Sequence, residues 1–195
     1  MAQIIVYTGP MFGGKSLRLI DRIMRAEYQE QKVLAVRPPD GRDNTSFIQA
    51  RRVIKGVSHN SIRYPARIVS TREEFRDAWS DASVSFLAID EAQFFPEWII
   101  TELAHALDER SDEHFTIAVA GLNMDFAQQP FGPMPKILSM AAKIRVCPGV
   151  CMQCRGRFGK GLYTQRIRGG TQQRQPGDIS DYEVRCGVCH TIFSE

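Results

Sequence analysis

Close to the N-terminus, an apolar run leads into the stretch Gly9-Pro10-Met11-Phe12-Gly13-Gly14-Lys15-Ser16. The stretch fits the pattern G-x-x-x-x-G-K-[ST], and the preceding run Ile4-Ile5-Val6-Tyr7 is typical of a buried strand. In such a loop, glycines let backbone N–H groups turn toward phosphate oxygens, and the next helix adds the positive end of its dipole. We expect Lys15 to reach the β- and γ-phosphates and the Ser16 hydroxyl to bind Mg²⁺. The stretch therefore predicts a nucleoside triphosphate site.

The residues beyond this loop alternate between helical and strand patterns. Apolar residues at three- and four-residue spacing predict a helix over 16–31, and 32–37 reads as a second strand that ends before Pro38-Pro39. Further strands are predicted at 84–89, 114–121 and 143–147, and further helices at 71–79, 96–110 and 135–142. This alternation predicts an α/β fold, a parallel P-loop NTPase-type sheet flanked by helices.

Two features between these elements are less regular. Residues 40–66 form an irregular insertion in which 46–48 or 52–54 could be short edge strands. The helix that follows has two overlapping capping boxes, Ser70 with Glu73 and Thr71 with Glu74.

Composition limits the classes of protein to consider. With 195 residues, 43% of them hydrophobic, the chain can form one domain plus a small appendage. A net charge of +3 is too small to argue for nucleic acid, and no apolar run is long enough to span a membrane. Five cysteines without a secretory signal indicate metal binding or free thiols in a cytoplasmic protein.

Two carboxylates stand where a predicted buried strand ends. Because ligands bind at the carboxyl ends of parallel strands, Asp90 and Glu91 are both candidates for the nucleotide site. We assign Asp90 to the metal, as in a Walker B motif, and Glu91 to general-base catalysis on water or a substrate hydroxyl. Alternatively, Glu91 only caps the turn that follows.

Aromatic residues lie beside these acids. Phe94 and Phe95 follow directly, and adjacent aromatics often belong to the core, but one could stack on a flat ring while Gln93 hydrogen-bonds its edge. Phe126, at the end of the next strand, is a second candidate for this pocket.

The chain changes character near residue 148, where Gly, Arg, Gln and Cys replace long apolar runs. We predict a nucleotide-binding core over 1–147 and a zinc-binding unit over 148–195. The C-x-x-C pairs Cys151/Cys154 and Cys186/Cys189 predict a closed, structural Cys₄ zinc site. The alternatives are a redox dithiol or a site in which His190 replaces one cysteine, and Cys147 is left as a buried thiol.

The 31 residues between the two pairs exceed the usual spacing of a zinc ribbon, so a long loop must leave the site and return. A loop held at both ends by zinc is suited to act as a lid that excludes water. A solvated basic loop or a nucleic-acid contact would explain its arginines equally well.

Together these features resemble one family, the type II thymidine kinases. The shared motifs are the phosphate loop, D-E-x-Q-F-F at 90–95, P-F-G at 130–132, T-Q-R at 164–166, both C-x-x-C pairs, and a tyrosine four residues before the third cysteine. The resemblance covers nearly the whole chain and implies transfer of the γ-phosphoryl group of ATP to the 5′-hydroxyl of thymidine, for salvage of DNA precursors. Glu91 would take the hydroxyl proton, and family members are commonly homotetramers.

The resemblance also implies individual roles. Arg42 and Arg166 would act at the phosphates, a wall of the nucleoside pocket would come from Met11, Phe94, Leu122 and Phe126, and Thr164 and Tyr182 would close over base and sugar. Three departures stand out: Asn123 in place of the usual Asp, nine residues between Cys154 and Thr164 where about six are expected, and Gln175-Pro176-Gly177-Asp178 in place of a V/I-G-G stretch.

Two other functional classes remain as alternatives to a kinase with ATP and thymidine as its partners. One is a P-loop ATPase whose zinc ribbon acts on nucleic acid. The near-neutral net charge argues against this alternative, as does the lack of a stripe of alternating basic and aromatic residues. The other is a regulator that only binds nucleotide.

Overall fold

The computed structural model describes residues 1–39, 45–54, 57–111, 114–173 and 179–192. Two expectations concern residues outside the described ranges. They are the phosphate contact of Arg42 and the departure from a V/I-G-G stretch at 175–178.

A six-stranded sheet forms the centre of the molecule, and its strands are parallel, as the sequence predicts. Its strands, in spatial order, are β5 (Arg67–Ile68), β2 (Val33–Arg37), β6 (Phe86–Ile89), β7 (Thr116–Gly121), β1 (Gln3–Thr8) and β8 (Lys143–Val146). Every pairing in this sheet is parallel. Because β7 lies between β6 and β1, the loops that follow these three strands leave the same edge of the sheet side by side.

The two faces of the sheet bury different side chains of the same strand. Along β1, Ile4 and Val6 join one apolar cluster while Ile5 and Tyr7 join the other, as alternation along a strand requires. The helix α1 (Lys15–Tyr28) covers the second cluster with Leu19, Ile20, Ile23 and Ala26. On the opposite face lie α2 (Arg72–Ser80), α3 (Trp98–Glu109) and α4 (Met134–Met140).

Of the two overlapping capping boxes, the structure forms the second. The backbone N–H of Glu74 donates to the Thr71 hydroxyl, and the Thr71 N–H donates to the Glu74 carboxylate, both at 3.2 Å. These bonds satisfy donors that have no partner within the helix and so define the start of α2.

The strands expected at 46–48 or 52–54 are present as one longer strand, but it lies outside the main sheet and is not one of its edges. That strand is β3 (Phe47–Ile54), which pairs antiparallel with β4 (Val57–Pro65) in a separate hairpin. The hairpin packs on α1, where Ile48 is buried and the Tyr64 hydroxyl donates to Glu27 at 2.7 Å. One edge strand of the main sheet, β5, is only two residues long and has no signal in the sequence, whereas the other, β8, was expected at 143–147.

Beyond β8 the chain forms two short antiparallel pairs. One joins β9 (Gly149–Val150) to β10 (Lys160–Gly161), and the other joins β11 (Tyr163–Arg166) to β12 (Tyr182–Arg185). The expected long loop therefore starts only after β11, because its first part is used to form these strands. Among the residues that the structure describes, no helix has the length and apolar character needed to cross a membrane.

Candidate active site

The phosphate loop joins β1 to α1 in the manner that the sequence predicts. Gly14 adopts a left-handed conformation with φ of 82° immediately before α1, which begins at Lys15. The Lys15 ammonium donates to the Pro10 carbonyl at 2.7 Å, so it folds back over the loop. Burial lowers the pKa of Lys15, and the negative charges of Glu91 and Asp90 oppose that shift. The lysine and both acids thus share one electrostatic environment.

Two glycines of this loop are also required by a close contact with another part of the backbone. A Cβ atom on Gly9 would lie 2.6 Å from the Cys147 carbonyl oxygen, and one on Gly13 would collide with the same oxygen. The backbone at the end of β8 therefore passes directly against the phosphate loop. No pattern in the sequence marks this contact, because the residues involved are more than 130 positions apart.

Ser16 and Asp90 meet across the sheet edge as expected for a magnesium site. The Ser16 hydroxyl donates to an Asp90 carboxylate oxygen at 3.2 Å. Burial first, and the negative charge of Glu91 second, raise the pKa of Asp90 to about 7. A buried carboxylate beside a hydroxyl is an all-oxygen donor set, which suits Mg²⁺. The donors present therefore fit the ion that the motif implies.

Glu91 lies outside the strand, in a backbone conformation that is uncommon for its residue type. Its φ is 53°, in the left-handed region, and it precedes a short 3₁₀ turn over Ala92–Phe94. Glu91 occupies the N-cap position of this turn, but its side chain makes no capping hydrogen bond, so its carboxylate does not serve as the cap. Left-handed non-glycine residues concentrate at functional sites, where the surrounding fold compensates the strain.

The three aromatic candidates have different environments. Phe95 is 1% exposed and packs edge-on against Phe75, so it belongs to the core. Phe94 is half-buried and contacts the Phe131 ring edge-on at 5.5 Å between centroids. Phe126 is buried beneath a guanidinium group, whose carbon lies 3.8 Å from the ring centroid.

Gln93 is buried with both ends of its side-chain amide bound to protein groups. Its oxygen accepts from the Leu122 backbone N–H at 3.0 Å, and its nitrogen donates to the Glu91 carboxylate at 2.5 Å. The expected contact of Gln93 with the edge of a base stays a prediction.

Residues of β11 bring the C-terminal unit to the phosphate loop. The Met11 backbone N–H donates to the Thr164 hydroxyl at 3.0 Å, although 153 positions separate the two. Arg166, whose guanidinium covers Phe126, donates to the Gly170 and Gln172 carbonyls and to the Tyr182 hydroxyl. Arg166 therefore organises the loop after β11, and its expected contact with phosphates stays a prediction.

The loop after β7 is a second junction that the sequence did not indicate. Asp125 is buried and accepts from the backbone N–H groups of Ala127 and Gln129 through one oxygen. Its other oxygen accepts from the Gln173 side chain at 2.7 Å. Asp125 thus fixes its own turn and also ties the C-terminal unit to the core.

The four cysteines of the two knuckles meet at one point. Their sulfur atoms lie within 4.8 Å of one another, and the Cys154 and Cys186 sulfurs are 3.7 Å apart. Tetrahedral zinc with Zn–S bonds of about 2.3 Å requires sulfurs about 3.8 Å apart, so the cluster fits zinc. Burial raises the pKa of Cys151, but backbone N–H groups of Cys154 and Cys186 outweigh it and bring the pKa to about 6. This thiol is therefore readily available as a thiolate.

His190 has a different role from the metal ligand considered as an alternative. Its Nε2 lies 3.1 Å from the Phe126 carbonyl oxygen and 3.3 Å from that of Thr164, so it is placed to donate to the backbone. Its Nδ1 lies 3.1 Å from the Gln128 amide nitrogen. His190 therefore joins the last knuckle to the loop after β7.

The fold and site together define a P-loop phosphotransferase-type protein with an appended four-cysteine metal unit. A family model described as thymidine kinase matches residues 2–190. The chain belongs to the thymidine kinase family.

Several relatives match over nearly their full lengths. A thymidine kinase of Mesomycoplasma hyopneumoniae is 34% identical over 192 residues, which is 97% of this chain and 95% of the relative. A thymidine kinase of Mycoplasma mobile is 35% identical over 188 residues, which is 96% of this chain and 86% of the relative. A thymidine kinase of Metamycoplasma arthritidis is 30% identical over 189 residues, which is 96% of this chain and 90% of the relative.

Proposed function

We propose that this protein is a thymidine kinase that transfers the γ-phosphoryl group of ATP to the 5′-hydroxyl of thymidine. The observation that carries the proposal is the meeting of Lys15, Ser16 and Asp90 at one sheet edge, with Glu91 beside them. Family membership supports thymidine as the acceptor.

Residues of the loop 9–16 would hold the triphosphate. Backbone N–H groups and the start of α1 would bind its oxygens, and Lys15 would move from the Pro10 carbonyl to the β- and γ-phosphates. Ser16 and Asp90 would hold Mg²⁺, which when bound neutralises charge on the phosphates and keeps them aligned with the acceptor. Arg42 and Arg166 would add positive charge at the phosphates.

Glu91 would accept the proton of the 5′-hydroxyl as the phosphoryl group is transferred. It is half-buried at the edge of the sheet, one residue from Asp90. Phosphoryl transfer depends mostly on positioning and electrostatics, so the rigid strand ends that carry the two acids suit the reaction.

The nucleoside would bind between the two parts of the molecule. Met11, Phe94, Leu122 and Phe126 would form the wall on the core side, and Thr164 and Tyr182 would close over the base and sugar. The bond between Met11 and Thr164 supports this arrangement, because it already brings the two sides together. Zinc held by the four cysteines would anchor β11 and β12, which carry these closing residues.

The test is to incubate the protein with Mg-ATP and each of the four deoxynucleosides and to measure the monophosphates formed. We expect thymidine monophosphate to be the main product. Phosphorylation of none of the nucleosides, together with phosphate release stimulated by DNA, would instead favour a P-loop ATPase that acts on nucleic acid.

A homotetramer and a cytoplasmic location stay predictions. Light scattering of the purified protein measures the first directly, and a mass of four chains is the expected result.

A further inference from the structure

Gln93 is a buried polar residue that connects Glu91 to the loop after β7. Its side chain is 0% exposed, although it lies only two residues from Glu91. The donor and acceptor roles of its amide follow from its partners: the Leu122 N–H can only donate to the amide oxygen, which leaves the amide N–H to donate to a Glu91 carboxylate oxygen. The amide therefore has one orientation that satisfies both neighbours.

Two glycines make room for Gln93. A Cβ on Gly132, whose φ is +50°, would collide with the backbone carbonyl oxygen of Gln93. A Cβ on Gly121 would lie 3.0 Å from the Gln93 side-chain oxygen and 2.6 Å from the Met134 sulfur. The contact of Gly132 with Gln93 gives a physical reason for the glycine of the P-F-G motif at 130–132. This motif lies far from the phosphate loop in sequence.

Glu91 needs such support. Its backbone is in the left-handed region, and its side chain has three rotatable bonds, so the carboxylate has several orientations available. The Gln93 nitrogen holds Oε2 of Glu91 at 2.5 Å, and a base needs the other oxygen for the substrate hydroxyl. Gln93 is in turn fixed by Leu122, which is itself a predicted wall of the nucleoside pocket.

We propose that Gln93 is a positioning residue, which acts through Glu91 by orienting its carboxylate toward the acceptor hydroxyl. The proposal rests on the proposed function, because it takes Glu91 as the base. It assigns to Gln93 a role different from direct hydrogen bonding to the thymine ring. Loss of Gln93 should then reduce turnover much more than it weakens thymidine binding.

Two variants separate this role from simple core packing. Gln93→Met keeps the length of the side chain but leaves both neighbours without a partner. Gln93→Asn keeps an uncharged amide but is one methylene shorter, so it cannot reach both Leu122 and Glu91, and it serves as the second variant if the methionine variant does not fold. For both we expect kcat to fall about 100-fold, the effect of displacing a catalytic group by about 1 Å, with the KM for thymidine changed less than about threefold.

The control is Gln29→Met, at an exposed position after α1, for which wild-type kcat is expected. A kcat within about threefold of wild type in both folded Gln93 variants, or a large rise in KM at unchanged kcat, would overturn the positioning role.

A double-mutant cycle provides the sharper test. If Gln93 acts through Glu91, adding Gln93→Met to Glu91→Gln should change kcat by less than about threefold, because the two residues act as one unit. A further 100-fold loss in the double variant would mean that Gln93 acts independently of Glu91, contrary to the proposal.

Failure of the proposed function would give a different result. If wild type phosphorylates no nucleoside, or if Glu91→Gln alone keeps full turnover, the kinase proposal or its base is refuted, and the positioning role with it. If wild type is active, Glu91→Gln is impaired and the Gln93 variants are unaffected, the positioning role alone is refuted.

Discussion

Two buried carboxylates have pKa values that their surroundings move in opposite directions. Asp90 lies at the edge of the sheet, and Glu102 lies on α3, where it faces α2. Burial raises the pKa of Glu102, but hydrogen bonds from Arg76, Arg72 and Trp79 outweigh it and bring the pKa to about 2. Around Asp90 the burial and the charge of Glu91 prevail, and its pKa rises to about 7. Protein groups stabilise the charge of Glu102 more than burial opposes it, whereas the groups around Asp90 do not outweigh burial and the neighbouring carboxylate.

The difference lies in the donors. Glu102 accepts from the Arg72 Nε at 2.6 Å, from Arg76 at 2.7 Å and from the Trp79 indole at 3.1 Å. Asp90 accepts from the Ser16 hydroxyl at 3.2 Å and has another carboxylate as its neighbour. A site with its charge balanced within the protein contributes to the fold, whereas excess negative charge at a strand end suits the binding of a cation.

The largest expected effect is on the catalytic side of this comparison. Glu91→Gln keeps the shape of the side chain but cannot accept a proton, so we expect kcat to fall about 1,000-fold, within the range for loss of a general base. Affinity for ATP and the free energy of unfolding should stay close to those of wild type. Steady-state kinetics with thymidine measures the effect, and wild-type turnover in this variant would remove Glu91 as the base.

Removing zinc should affect the active site and spare the region around Glu102. We expect one zinc per chain by metal analysis, and about a 100-fold loss of turnover in the metal-free protein, because Thr164 would lose its position against the phosphate loop. Since α1 to α4 all precede the metal unit, far-UV circular dichroism should keep most of its helical signal. Full activity without metal, or a protein that contains none, would contradict the Cys₄ assignment.

Glu102→Gln should give the opposite pattern, lower stability with unchanged turnover. We expect a loss of about 2 kcal/mol in the free energy of unfolding at pH 7, since four hydrogen bonds from three residues to a charged group are weakened while the partly exposed arginines can return to water. Because the folded-state pKa of Glu102 lies below its usual value, this stability is present above about pH 4.5 and lost as the pH falls toward 2.

Urea unfolding at pH 7 and pH 3 therefore tests this expectation, with Asp77→Asn on the exposed face of α2 as the matched control. A difference between wild type and Glu102→Gln that persists unchanged at pH 3 would show that the charge of Glu102 is not the cause.

The smallest expected effect is a gain in stability from Asp90→Asn. The pKa of Asp90 is raised in the folded state, so its stabilising contribution is present below about pH 4 and is lost as the pH rises through 7. Removing the charge should add about 1 kcal/mol to the free energy of unfolding at pH 8 in EDTA, and less at pH 5. Turnover should fall at the same time, and a less stable variant at pH 8 would contradict this reading of the site.

Much of the core was predictable because its signals are local. Continuous apolar runs predicted the buried strands, and apolar spacing predicted α1 and α3 to within about three residues of their observed ends. The pairing of β3 with β4 in a separate hairpin was not predicted, because these strands pair with each other outside the main sheet and pack on α1.

The site was predictable as far as its motifs extend. The residues of the phosphate loop, the two acids and the four cysteines were expected to group as they do. The contacts of Cys147 with two loop glycines, and of Asp125 with Gln173, join residues distant in sequence by geometry alone. No local pattern marks such a contact, so only the folded arrangement reveals it.

We propose that Asp90, at the sheet edge, binds the cation that accompanies a nucleotide, whereas the charge of Glu102 is already balanced by protein groups. The most direct measurement is the rise in unfolding temperature caused by saturating Mg-ATP in wild type, Glu102→Gln and Asp90→Asn. Ligand at about 1,000 times its Kd adds about 4 kcal/mol of stability, so the rise should be large and equal in wild type and Glu102→Gln and much smaller in Asp90→Asn. An equal rise in all three proteins would contradict the account.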